Sequence, residues 1–204
     1  MREERIVIGD RELVLARPTD PESLIDEPRF EENEFLPYWA ELWPSGLALA
    51  QHLATLDVAV KRVLELGCGL ALPSFAAAVG SANVTATDWA REAVDLVAVN
   101  AAANRLVVTP AELDWSSGVE NIGRFDLVLA ADVLYEERNA EPLVTLLGAV
   151  VARGGAALVA DPGRRHAAAF FDRARNEGWS LERTAVDELP SGGIVRLTHA
   201  QMTG

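Results

Sequence analysis

The stretch Lys61–Ala78, KRVLELGCGLALPSFAAA, constrains this chain more than any other. Val63, Leu64 and Leu66 form the apolar run that a buried parallel strand requires. Gly67 and Gly69 follow, where a backbone can turn sharply and approach a ligand closely. Pro73 suits the first turn of a helix, because the N–H it lacks would have no partner there. Phe75 to Val79 continue that helix on apolar residues. Strand, glycine turn and helix together make the nucleotide-binding corner of a doubly wound fold. Two features argue against a dinucleotide. The dinucleotide pattern wants a third glycine where this chain has Leu72. Glu65 also stands beside the turn, where a carboxylate repels a pyrophosphate and welcomes a cation. S-adenosylmethionine carries a sulfonium and an ammonium but no phosphate, so it is the cofactor this corner favours.

Composition limits the alternatives. A chain of 204 residues, half of them apolar, builds one domain, or one domain with an extension. The formal net charge is −13. Sequence-independent nucleic-acid binding needs a basic face, and no basic cluster is visible, so no nucleic-acid partner is expected. An acidic protein better suits a cationic or neutral substrate. Cys68 is the single cysteine, which rules out a disulfide framework. His52, His166 and His199 are scattered, so no metal site is expected. The N-terminus is charged rather than apolar, and no run approaches the length of a membrane span. The expectation is a cytoplasmic monomer with no membrane contact.

The remaining elements fit around the central turn. Arg5–Ala16 reads as a hairpin around Gly9-Asp10. Asp20–Glu34 is an acidic loop with at most one short helix. Pro44 and Ser45 open a helix running to about Leu56. The aromatic residues just before it, Tyr38, Trp39 and Trp43, either close the core or wall a ligand pocket. Asn83–Thr87 is the second sheet strand, ending at Asp88, with Trp89 after it. Asp88 lies about twenty residues beyond the glycine turn, where this architecture places an acid on the ribose hydroxyls. The alternative is that Asp88 caps the helix of Ala90–Leu106. Val107–Leu113 is the third strand, ending in Asp114-Trp115. There the carboxylate can accept from an adenine amino group and the indole can cover the ring, or the pair is a capped turn with a half-buried tryptophan. Phe125–Ala131 is a central strand that terminates in Asp132, with Tyr135 three residues on. Arg138–Arg153 is a helix stopped by Gly154-Gly155, followed by the strand Ala156–Ala160. Arg165–Glu177 is a helix ended by Gly178, and Trp179–Val186 and Ile194–Gln201 close the chain as two strands. Alternating strand and helix gives an α/β fold, a Rossmann-like sheet with helices on both faces.

By Tyr135 the pattern resembles a family: the seven-β-strand S-adenosylmethionine-dependent methyltransferases, and within them methyltransferase family 16, a group of protein-lysine methyltransferases. The matching stretches are ELWPSGLALA, VLELGCGLALP, TATDW, LDW and LAADVLYE, in order and at the family's spacing. Asp161-Pro162-Gly163-Arg164 resembles a turn in the branch that methylates the β subunit of electron transfer flavoprotein. The resemblance implies a class I sheet of order 3-2-1-4-5-7-6 with strand 7 antiparallel. It places cofactor contacts on Trp43, Gly67, Cys68, Gly69, Asp88, Trp115 and Ala131, and an Asp-x-x-Tyr signature on Asp132 and Tyr135. With Glu65, Trp89 and Asp114 from the residue-level reading, these form the expected cofactor set. The departure is Ala71, where many methyltransferases carry a third glycine.

The expected organisation is an extension over 1–40 packed on a methyltransferase domain over 41–204. The expected activity is transfer of a methyl group to an amine, most simply a lysine side chain of a protein. Asp132 would accept a hydrogen bond from the amine and aim its lone pair, while Tyr135 would hold the aliphatic stem or assist by a hydrogen bond. A small-molecule N-methyltransferase and a non-catalytic module that only binds the cofactor are the alternatives. A narrow pocket sealed by the first forty residues would favour the small molecule, and an open acidic groove the protein.

Overall fold

The two most apolar strand segments of the sequence lie side by side at the middle of the sheet. Neither could face water on either side. A computed structural model describes residues 1–24, 36–115 and 122–199. In it β3 (Arg62–Leu66) pairs in parallel with β6 (Phe125–Ala131), from Val63 opposite Leu127 to Leu66 opposite Ala130. On the other side of β3 lie β4 (Asn83–Asp88) and then β5 (Val108–Glu112). Beyond β6 come β7 (Val151–Asp161), β9 (Gly193–His199) and β8 (Trp179–Thr184). Among the described residues this is a seven-stranded sheet in the order β5-β4-β3-β6-β7-β9-β8, with β9 antiparallel to both its neighbours. Counted from β3, that is the order 3-2-1-4-5-7-6.

Alternate residues of the central strands feed two cores. Val63, Leu127 and Leu129 face one side, against Leu49 of α1 (Pro44–Leu53), Phe75 of α2 (Leu72–Val79) and Val97 of α3 (Arg91–Ala103). Leu64, Leu66, Val128 and Ala130 face the other, against Leu143 and Leu147 of α4 (Ala140–Val150) and Phe170 of α5 (Ala167–Asn176). No described helix is long and apolar enough to cross a membrane.

The hairpin forms as read, with β1 (Arg2–Ile8) antiparallel to β2 (Arg11–Arg17), and Gly9 supplies a left-handed turn at φ 59°. Its attachment was not legible. The free edge of β2 is completed by two asparagine amides, Asn100 in α3 and Asn104 just past its C-terminus, acting as surrogate peptide groups. Asn104 accepts from Val14 N at 2.8 Å and donates to Val14 O at 2.7 Å. Asn100 does the same for Ala16, at 2.8 Å and 3.0 Å. A short 3₁₀ turn, Pro21–Leu24, follows the hairpin. The remainder of the expected acidic loop, 25–34, lies outside the described residues.

One boundary is corrected. The helix expected to run from Arg138 to Arg153 ends at Val150, and the strand begins at Val151 and carries both glycines. Gly154-Gly155 is not a helix stop. A Cβ on Gly155 would lie 2.9 Å from Asp126 O, and the register against β6 shifts at this point. The glycines mark a bulge where two backbones come close. The strand expected to reach Val186 ends at Thr184, while the last strand is described to His199 and the rest of its expected range lies outside the described residues.

Candidate active site

All the strand ends that carried suspicion in the sequence open onto one side of the sheet, as the rule for open α/β sheets requires. They wall a cavity of about 610 Å³. Every candidate residue lines it: Trp43, Glu65, Gly67, Cys68, Gly69, Asp88, Trp89, Asp114, Trp115, Ala131, Asp132 and Tyr135.

The floor is the turn after β3. Gly67 and Gly69 have left-handed φ of 64° and 49°. A Cβ on Gly67 would lie 3.0 Å from Val133 Cγ1, and one on Gly69 3.1 Å from Trp39 O, so both positions need the missing side chain. Ala71 is left-handed as well, at φ 58°, immediately before α2. The glycine that many methyltransferases carry here answers a backbone requirement that this chain meets with strain.

Two acids sit beneath that turn. Glu65 is fully buried and accepts the N–H of Ser74, in the first turn of α2, at 2.8 Å. Burial pushes its carboxyl up to about 8, with a further rise from neighbouring Asp88. It is therefore largely protonated at neutral pH, and its role at the turn is not the exposed negative charge inferred from sequence. Asp88 accepts from Gly69 N at 2.9 Å and Ala90 N at 3.0 Å. Burial also raises its carboxyl, opposed by those N–H groups. The bracing reading is seen directly, since Asp88 holds the glycine turn and the start of the next helix, and its side chain also lines the cavity. Cys68 is buried and its thiol is pushed up, first by burial and then by Asp88 and Glu65, so the thiolate is disfavoured.

These features fit S-adenosylmethionine. Among the described residues no basic side chain pairs with Asp88, so a sulfonium or ammonium would bring positive charge beside it, while Glu65, largely protonated, leaves the turn without a fixed cation. Asp88 keeps lone pairs able to accept from ribose hydroxyls. The Trp115 ring reaches within 3.4 Å of the space above Gly67, a flat wall for an adenine.

The opposite wall is aromatic. Tyr38 stacks edge-on against Tyr135, with centroids 5.3 Å apart, and the Trp43 indole donates to Tyr38 O at 2.8 Å. Burial pushes the Tyr135 phenol up to about 12, so it stays protonated at neutral pH and is no base. Asp132 adopts a left-handed φ of 59°. Its carboxylate is held from two sides. Its Oδ1 accepts from Arg164 Nε at 2.7 Å and its Oδ2 from Ser45 Oγ at 3.2 Å. The Arg164 guanidinium also lies over the Trp43 ring, 5.6 Å from its centroid. Sequence reasoning missed Ser45 and Arg164 as site residues. Their only signal was membership of the WPSG and DPGR stretches, whose spatial convergence no local pattern encodes.

The family model for lysine methyltransferases matches residues 29–177. An electron transfer flavoprotein β subunit lysine methyltransferase of Danio rerio is 37% identical over 158 residues, covering 76% of this chain and 59% of that protein. The protein N-lysine methyltransferase METTL21A of Danio rerio is 34% identical over 118 residues, 53% of each chain. The chain spans between 51% and 59% of the length of the first curated relatives it matches. In structure it is similar to the 16S rRNA N2 G1207 methyltransferase of T. thermophilus, solved with AdoMet and guanosine. The TM-score is 0.71 at 16% identity, over 97% of this chain and 50% of that one, a likeness of fold alone.

Proposed function

The chain belongs to the lysine methyltransferase family, and from that premise we propose that it uses S-adenosylmethionine to methylate a lysine side chain of a protein. The observation that carries the reading is one cavity with two unlike walls: buried acids and glycine backbone on one side, a tyrosine–tryptophan cluster with Asp132 on the other.

S-adenosylmethionine, when bound, supplies a methyl group already activated on a sulfonium. Asp88 would hold the ribose hydroxyls, Trp115 and Asp114 the adenine, and the Gly67–Gly69 backbone would allow close approach. The chain's own contribution is orientation and exclusion of water. A lysine ammonium, with an unperturbed pKa near ~10.4, must lose its proton before it can act as a nucleophile. The aromatic wall of Tyr38, Trp43 and Tyr135 favours the neutral amine, because desolvation penalises the charged form. Asp132 can accept an N–H of that amine and turn its lone pair into the cavity. Tyr135, protonated, can pack along the lysine stem or donate a hydrogen bond, and it takes no proton.

The Asp161–Arg164 stretch and the Danio rerio relative named for the β subunit of electron transfer flavoprotein make that subunit the first acceptor to try. The test is incubation of the protein with methyl-labelled S-adenosylmethionine, once with the host's electron transfer flavoprotein and once with host lysate. Label on lysine of a protein supports the reading. Label only on small amines would move the reading to a small-molecule N-methyltransferase. Cofactor binding without any transfer would leave a binding module.

A further inference from the structure

We propose that Arg164 and Ser45 are positioning residues that clamp the Asp132 carboxylate in one orientation, and that the Asp161–Arg164 turn is the device that delivers the arginine. The inference rests on the reading of Asp132 as the acid facing the acceptor amine.

Asp132 is buried and its backbone is strained. A left-handed φ of 59° is unfavourable for any residue with a Cβ. Its amide is tied to Ala160 O at 2.9 Å. Each carboxylate oxygen then meets a different, distant side chain. Ser45, fully buried in the first turn of α1, donates to Oδ2 at 3.2 Å. Arg164 donates to Oδ1 at 2.7 Å from the turn after β7.

That turn leaves the arginine backbone little freedom. Asp161 Oδ1 accepts from Gly163 N at 2.7 Å and from Arg164 N at 2.8 Å. Gly163 takes φ 97°, and a Cβ there would lie 2.6 Å from Ser191 O. An acid, a glycine and an arginine are thus each required, for separate reasons, to put one guanidinium on Asp132. The same guanidinium covers Trp43, so one cation ties the acceptor-side acid to the aromatic wall. Neither Arg164 nor Ser45 lines the main cavity. Both reach it only through Asp132 and Trp43. In-line transfer depends on the direction of the amine lone pair, and a carboxylate that can swing cannot set that direction.

The test is a set of double-mutant cycles on the full chain. Turnover is measured with labelled S-adenosylmethionine and electron transfer flavoprotein β subunit as the probe, and S-adenosylhomocysteine affinity by calorimetry. Arg164→Met should lower kcat at least tenfold, with KM for the probe and S-adenosylhomocysteine affinity within about threefold of wild type. Arg164→Lys keeps the charge without the planar fork and should recover part of the loss. Ser45→Ala should lose a few-fold. The Asp132→Asn, Arg164→Met double variant should be no slower than Asp132→Asn within about twofold, because Arg164 affects turnover by orienting Asp132 and its contact with Trp43 adds little to the rate. Multiplying losses, normal turnover in Arg164→Met, or a loss confined to S-adenosylhomocysteine affinity would overturn the clamp. If the wild type methylates no protein, the transferase reading fails by itself and the clamp is judged by Trp43 emission, identified with Trp43→Phe. Asp132→Asn and Arg164→Met should then shift that emission alike and the pair no further. Independent, additive shifts would overturn it.

Discussion

Asp88 and Asp132 stand at the ends of the two strands that flank β3, on opposite sides of one cavity, and they are held by opposite means. Asp88 is gripped by backbone N–H groups from Gly69 and Ala90, residues of the turns it adjoins. Asp132 is gripped by side chains that arrive from α1 and from the turn after β7. Backbone donors cannot swing away, but they bring only partial charge. The Asp88 wall, proposed to face the cofactor, carries two buried acids, Glu65 and Asp88, both raised by burial. The acceptor side balances its acid with a whole guanidinium. One wall is held by backbone donors of its own turns, and the other is neutralised by side chains from distant parts of the chain. The first suits a cofactor that brings positive charge, and the second an amine that must shed it.

The largest expected effect tests the buried acid of the Asp88 wall. Glu65 has a carboxyl near 8 when folded, against 4.5 for the ordinary side chain. Below about pH 4.5 both states are protonated and the group contributes no pH dependence. Between there and pH 8 the unfolded chain loses a proton that the folded one keeps, so stability falls as pH rises, at ~1.4 kcal/mol per pH unit. From pH 5.5 to 8 wild type should lose about 3 kcal/mol relative to Glu65→Gln, read by urea unfolding at several pH values. Parallel curves would mean that Glu65 is not a buried acid and that the two walls do not differ as described.

Next in size is Asp88→Ala. S-adenosylhomocysteine affinity should drop by about 1.5–3 kcal/mol, the range for hydrogen bonds to a charged group. Calorimetry on a folded preparation checks it, and unchanged affinity would remove Asp88 from the cofactor side. Asp132→Asn should do the reverse. It keeps the shape and removes the charge, so turnover falls at least tenfold, about 1.4 kcal/mol, while S-adenosylhomocysteine affinity stays within a few-fold. A variant that fails only because the cofactor analogue no longer binds would put both acids on the same wall and end the comparison.

The same contrast explains what could be read in advance. The Asp88 side is built from strand, glycine turn and helix in one continuous stretch, and its spacing follows from local geometry. The sheet order was legible only as what the resemblance to the family implied, through the order of its motifs. The Asp132 clamp joins Ser45, Asp132 and Arg164 across the fold, and nothing in a local window says that a serine after Trp43-Pro44 will meet an arginine in a DPGR turn. Gly154-Gly155 misled for a related reason. A glycine pair after an apolar helix looks like a stop, and only the approach of Asp126 O from the neighbouring strand makes it a bulge. Asn100 and Asn104 read as polar residues on a helix, and their service to the edge of β2 depends on where the hairpin lands.

The smallest expected effect separates strain that serves a side chain from strain that serves none. Ala71 on the cofactor side and Asp132 on the acceptor side are both left-handed without being glycine. At Ala71 only a methyl is at stake. Replacing it by glycine relieves about 1–2 kcal/mol of left-handed strain. It also removes about 0.8 kcal/mol of buried methyl and adds roughly 0.5–1 kcal/mol of chain entropy to the unfolded state. These nearly cancel, so Ala71→Gly should unfold within about 0.5 kcal/mol of wild type and bind S-adenosylhomocysteine as before. Ala76 is the control. It is buried in the helix that Ala71 precedes, with no left-handed backbone, so Ala76→Gly gains no relief and should cost about 1.5 kcal/mol from lost methyl burial and helix propensity. If the two variants lose equal stability, the backbone at Ala71 is not strained. At Asp132 the same relief is available, yet Asp132→Gly should abolish turnover whatever it does to stability, because there the strained backbone carries the carboxylate that the clamp holds.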